Sequence, residues 1–238
     1  MTDVEVLTRH RAVWARRPEL RQVYGEWFER LMASVAGLAP VVEVGTGPGF
    51  LKEFAPWTVA TDVLPGPRTD IRCEADRLPF RSGSVGALVM VDTLHHLPRP
   101  LEFVAEAARV LKRGGRVAMV EPWITPASYV LYRYLHHEQC RMGVDLARPF
   151  GSGPKAPLDG NAAIPWLLLR RLEREPGALH VRLREPFVGL PYLATLGFKV
   201  ARPLPALVDV IARAAEVVLR PLAGLLATRV VLVLEKHD

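Results

Sequence analysis

Apolar positions along the chain follow two rhythms. From Glu19 to Ala36 (ELRQVYGEWFERLMASVA) they recur at Val23, Trp27, Leu31 and Val35. A spacing of four stacks them on one face and predicts an amphipathic helix. Gly37 and Pro40 close it. Short runs of strand length follow: VVEVG (41–45), WTVATDV (57–63), ALVMVD (87–92) and RVAMVEP (116–122). Between the last two, PLEFVAEAARVLKRGG predicts a helix. Its apolar stripe is Leu101, Val104, Ala105, Ala108 and Leu111, and Gly114-Gly115 stop it. Strands alternating with helices predict an α/β fold with a parallel sheet covered on both faces.

After Pro122 the rhythm loosens. Residues 123–165 are rich in Pro, Gly and aromatics and keep no long period. IPWLLLRRLEREPG then predicts a helix, GFKVARPL (197–204) a strand, ALVDVIARAAEVVLR an amphipathic helix, and RVVLVLEKHD a closing strand. The chain of 238 residues is read as a single domain.

Composition narrows the class. Half the residues are hydrophobic and 24% are charged, as in ordinary globular proteins. The net charge of +6 comes mostly from arginine, and no run of five like charges appears, so no nucleic-acid partner is expected. Cys73 and Cys140 are far apart and form neither a CxxC pair nor a disulfide framework, which suits a reducing, cytoplasmic location. The N-terminal stretch carries acids early and shows no apolar core of a signal peptide. No run of 18 uncharged apolar residues predicts a membrane span.

Candidate chemistry collects at strand ends, where open α/β sheets bind ligands. VVEVGTGPGF ends the first strand in glycines at 45, 47 and 49. Glycine there admits positive φ and lets a ligand touch bare backbone. The spacing is G-x-G-x-G, with Phe50 where a dinucleotide fingerprint carries its third glycine, and no Gly-Lys-Ser/Thr follows for a P-loop. Asp62 ends the second strand at the separation expected of an acid that grips a ribose; a turn role before Pro65-Gly66-Pro67 is the plain alternative. Asp76 in CEADRLPF can accept from an adenine amino group or form an Asx turn. Asp92 ends another strand and faces the same crevice.

These stretches, followed by the helix–Gly-Gly–strand of RVLKRGGRVAMVEP, resemble the class I S-adenosylmethionine-dependent methyltransferases. They are most similar to the bacterial small-molecule branch that includes quinone-ring methylases. The resemblance covers residues 38–122 and, loosely, the last strand. It implies a seven-stranded, doubly wound, Rossmann-like sheet with an antiparallel last strand. It also implies a helical cap (1–37), a cofactor-binding half (38–122), an acceptor-side insertion (123–196) and C-terminal strands with an apolar helical insertion (197–238). S-adenosyl-L-methionine is the implied cofactor. Glu43, Gly45, Thr46, Gly47 and Gly49 would surround its methionine, and Asp92 would lie near that end. Asp62 would hold the ribose with Val63 beside the adenine, and Asp76 and Arg77 would sit at the adenine edge.

The acceptor is expected to be a small molecule methylated on oxygen, carbon or an amine. No [DN]-P-P-[YF] follows the fourth strand, where relatives acting on nucleobase or glutamine amino groups carry it, and the cysteines are too few for an arsenite methylase. In YRYLHHEQC, His136 or His137 could be a base; with Glu138 adjacent, the three cannot all face one way, and no metal is expected. His95 and His96 could lie near the ligand or start a helix. Asp159 and Asn161 could reach an acceptor or form a turn. Residues 204–228 read either as a helix packed on the core or as a lid or surface meeting a lipid-like acceptor or a membrane. Three rivals remain: a non-catalytic cofactor-binding scaffold; a nicotinamide dehydrogenase, which the glycine spacing disfavours; and, on net charge alone, a nucleic-acid methylase.

Overall fold

The computed structural model describes residues 2–135, 139–149 and 159–237. Two helices open the chain, α1 (Asp3–Arg16) and α2 (Pro18–Ser34), the first started by a capping box in which Thr2 and Glu5 exchange hydrogen bonds. Then come β1 (Val41–Val44), α3 (Phe50–Phe54), β2 (Val59–Asp62), β3 (Ile71–Arg72), β4 (Val85–Val91), α4 (Pro100–Val110) and β5 (Leu111–Pro122). The remainder holds α5 (Pro126–Val130), a π-helical turn (Leu131–Leu135), α6 (Ile164–Arg174), β6 (Leu179–Phe187), α7 (Leu190–Thr195), α8 (Ala206–Leu219), α9 (Ala223–Leu226) and β7 (Arg229–Lys236).

The strands form one seven-stranded sheet in the order β3-β2-β1-β4-β5-β7-β6. Pairings from β3 to β5 are parallel, and β7 runs antiparallel to both neighbours. This is a Rossmann-like α/β fold with an antiparallel last strand, as expected. Alternate residues of each strand enter opposite cores. Val42, Leu88, Met90 and Met119 pack with Phe103 of α4 and Leu168 of α6. Val41, Val89, Ala118 and Val120 pack with Leu20, Trp27 and Leu31 of α2. Both faces being covered explains why the strands read as continuous apolar runs.

Three expectations change. The buried face of α4 is Phe103, Ala107 and Val110, one step round from the expected stripe, and the helix ends before Leu111, which already pairs with Val85. The strand expected at 197–204 is absent. Gly197–Lys199 is a 3₁₀ turn, and the sixth strand is β6. That edge strand carries a register shift between Val181 and Leu183, which breaks its period-two pattern. The helix expected near 206–220 exists as α8, but it does not pack on the core through its apolar residues. Only Ala212 is buried.

Candidate active site

β1 lies between β2 and β4, so the connections on its two sides diverge beyond its carboxyl end. The glycine loop fills that gap. Gly45 has φ +76°, and a Cβ there would stand 2.3 Å from Thr93 Cγ2; Gly49 has φ +80° and closes on Arg68. The amides of Gly45 and Thr46 donate to the Thr61 carbonyl at 2.9 and 3.0 Å, tying the loop to β2. Beneath it, buried Glu43 accepts from the Thr46 hydroxyl at 2.7 Å. Burial raises the Glu43 carboxyl to about 7; the Thr46 hydrogen bond opposes this and the Asp62 charge adds to it. Phe50, in the third-glycine position, stacks on Trp14 of α1 at 4.0 Å and on Phe198 at 5.4 Å.

Asp62 clamps the loop. One carboxylate oxygen accepts from the Gly47 amide at 2.7 Å and the other from the Leu64 amide at 2.7 Å. Burial raises its carboxyl above the usual range, against the pull of those amides. Each oxygen keeps capacity for one further donor. Val63 borders the same cavity. Asp76 accepts from Arg99 Nε at 2.5 Å, while its buried Oδ1 has no hydrogen-bond partner. An orphaned buried acceptor on a cavity wall calls for an N–H or O–H donor from a ligand. Arg77, next to Asp76, is exposed and does not line the cavity.

Asp92 leaves β4 with φ +50° and forms an ion pair with Arg229, the first residue of β7. Arg229 also lies over the rings of Tyr192 (4.5 Å) and Trp27 (5.2 Å). Burial disfavours its charge, but Asp92 and the surrounding phenols more than offset this and hold the guanidinium well above its ordinary value. Glu121, fully buried at the end of β5, accepts from the amides of Thr93 (2.8 Å) and Leu94 (2.7 Å). Its other oxygen meets His95 Nδ1 at 2.6 Å. A carboxylate oxygen can only accept, so in this contact Nδ1 is the donor. Asp92, His95 and Glu121 bring one donor atom each within 4.8 Å of one another, with Arg229 already the cation beside Asp92.

Glu43, the glycine loop, Asp62, Asp76, Asp92, His95, Arg99 and Arg229 border one cavity of about 950 Å³, and Glu121 stands behind His95. Its polar end holds the glycine loop, Asp62, Asp76, Asp92 and His95. Its apolar walls include Leu7 of α1, Leu131 and Leu135 of the π turn, Leu193 of α7, Leu196 and Phe198. The cavity thus brings together Glu43, Gly45, Thr46, Gly47, Asp62, Val63, Asp76 and Asp92. Gly49 stands behind the loop, where α3 begins. His136 and His137 lie outside the described residues. Asn161 forms a turn, its Oδ1 accepting from the Ala163 amide at 3.2 Å, and its side chain also bonds the distant Arg141 backbone amide and carbonyl at 2.9 and 3.0 Å. Arg99, Glu121 and Arg229 were not anticipated. Only Glu121, an acid at a strand's carboxyl end in MVEP, left a signal in the sequence.

Residues 30–119 match the model of a family described as methyltransferase domain. A ubiquinone/menaquinone biosynthesis C-methyltransferase of Rhizobium johnstonii is 40% identical over 58 residues, 24% of this chain and 22% of that protein. An uncharacterized chloroplastic methyltransferase of Arabidopsis thaliana is 40% identical over 62 residues, 23% of this chain and 18% of that one. The matches thus span about a fifth of the curated relatives' length. Among solved structures, a geranyl diphosphate methyltransferase in complex with S-adenosylmethionine superposes with a TM-score of 0.55 at 15% identity, covering 89% of this chain and 85% of that one. An S-adenosylmethionine-dependent methyltransferase from Archaeoglobus fulgidus gives 0.52 at 14% identity, covering 91% and 94%. At such identities these likenesses concern the fold alone.

Proposed function

We propose that this chain, whose residues 30–119 match a methyltransferase-domain family, is a class I enzyme that transfers a methyl group from S-adenosylmethionine to an oxygen, carbon or amine of a small apolar molecule. One observation carries the reading. A single cavity joins a glycine loop and two acids with spare acceptor capacity to an apolar chamber. The residues fit the cofactor. Asp62 would take the ribose hydroxyls through its remaining lone pairs, and Asp76 Oδ1 would accept from the adenine amino group beside Val63. Glu43, Gly45, Thr46, Gly47 and Gly49 would surround the methionine, with Asp92 nearby. Arg77 would sit beside Asp76 at the adenine edge. When bound, S-adenosylmethionine supplies an already activated methyl group on its sulfonium.

The protein's own work is to orient, to dry and to move a proton. Leu131, Leu193, Leu196 and Phe198 hold an apolar acceptor and keep water out. His95, kept in one tautomer by Glu121, takes the proton from an acceptor that must lose one. The name of the Rhizobium relative, a quinone-biosynthesis C-methyltransferase, is in keeping with an apolar ring as acceptor.

Calorimetric titration with S-adenosylmethionine tests this. The wild type should bind, and Asp62→Asn should bind at least about tenfold more weakly, since a hydrogen bond to a charged group contributes roughly 1.5–3 kcal/mol. Absence of binding by folded wild-type protein sinks the proposal.

A further inference from the structure

Helix α8 is turned inside out. Its polar side chains face the protein. Arg213 donates to Asp209 at 2.7 Å and to Glu26 of α2 at 2.5 Å. Glu216 accepts from the amides of Val188 and Leu190 at 3.0 and 2.7 Å. Its apolar side chains face solvent: Leu207, Val210, Ile211, Val217 and Val218 are between 58% and 74% exposed. A helix tethered by its acids and arginine, with its aliphatic face outward, has the amphipathicity of an element that something apolar covers. The surface continues through Leu222 and Leu225 to α9, which packs against α5, and from there to Tyr134 and Leu135 of the π turn.

Charge identifies the cover. Between Gly197 and Thr228 the exposed charged side chains are Lys199, Arg202 and Arg220, all basic; Asp209 and Glu216 are engaged inward. A second copy set against this face would meet the same basic margin with no exposed acid to answer it. An anionic lipid surface answers both features at once, with acyl chains for the aliphatic face and phosphates for the margin. The helices are too short to cross: among the described residues no helix is long and apolar enough to span a membrane. The patch also adjoins the cavity. Leu196, Phe198 and Lys199 on the approach to α8, and Leu135 beyond α5, border it.

We propose that α8, α9 and the π turn seat this protein in the plane of an anionic membrane surface. Where the methyl-transfer reading holds, the acceptor then enters from the lipid.

Flotation of the full chain with phosphatidylglycerol/phosphatidylcholine vesicles tests the seat, with sedimentation velocity and S-adenosylmethionine calorimetry on the same preparations. The wild type should float with anionic vesicles at low salt, and less with pure phosphatidylcholine or at high salt. Leu207→Glu/Ile211→Glu, which touches only exposed positions and keeps good helix formers, should reduce flotation at least tenfold with an unchanged circular dichroism spectrum. Arg202→Glu/Arg220→Glu should abolish the preference for anionic lipid. Wild-type protein that stays out of the anionic vesicles at low salt overturns the proposal. So does a dimer that Leu207→Glu/Ile211→Glu renders monomeric. Flotation without cofactor binding would instead sink the methyl-transfer reading and leave the membrane seat standing.

Discussion

Glu43 shows what the site demands of single residues. Its carboxyl is buried under the glycine loop and raised to about 7, by burial first. The fold therefore binds that proton more tightly than the unfolded chain does, whose carboxyl titrates near 4.5. The resulting stabilisation is complete below about 4.5 and is lost as pH rises through about 7. Glu43→Gln keeps an acceptor for Thr46 and cannot ionise. Denaturant midpoints should show the variant gaining on the wild type between pH 4.5 and 8, by on the order of 3 kcal/mol. Parallel curves would mean that Glu43 stays ionised in the fold. At this scale legibility followed position. Asp62 and Asp92 lie at or just past strand ends, where position singles them out; Asp76 was read from its loop, and Glu43 only from the family resemblance. Arg99 and Arg229 had no such signal. Arg229 is 137 residues from Asp92, and only the closing of the sheet brings them together.

Among the elements, the helices with clear four-residue spacing and the doubly buried strands were readable, because burial on one stripe or on both faces writes itself into the sequence. β6 was not. An edge strand exposing Arg182 and Arg184 and carrying a bulge has no clean alternation, and the more apolar GFKVARPL drew the assignment instead. What GFKVARPL does is receive Arg17. This wholly buried arginine, at the α1–α2 junction, donates to the carbonyls of Thr195 (3.0 Å) and Val200 (2.5 Å) and pairs with Glu19. It fastens the N-terminal helices to the segment that leads into α8. Arg17→Met keeps the apolar stem but leaves those carbonyls and Glu19 unanswered. Removing one partner from a buried ion pair costs roughly 3–5 kcal/mol, so the denaturant midpoint should fall accordingly. A loss under about 1 kcal/mol would mean that water replaces the guanidinium.

In the whole molecule, α1 and the segment that leads into α8 line one cavity and touch each other, and their contact has its own proton linkage. His10 of α1 stacks on Phe198 with ring centroids 4.5 Å apart. Burial, with Arg9 beside it, lowers the His10 imidazole to about 4 from an ordinary 6.5. Here the unfolded chain binds the proton more tightly. His10's contribution is therefore present above about 6.5 and is lost as pH falls towards 4. Glu43 works in the opposite direction over nearly the same window, and Asp62, whose carboxyl is also raised, joins it at the acid end. Between about pH 4.5 and 6.5 the two slopes oppose, so wild-type stability should change little with pH. Single variants should uncover them. Glu43→Gln should grow more stable as pH rises across the window, and His10→Gln should grow less stable, whatever each loses in absolute terms. Denaturant midpoints of the three proteins at four pH values decide it. If both variants tilt the same way, the glycine loop and the N-terminal cap are not the opposing proton sites, and the flatness of the wild type must come from elsewhere.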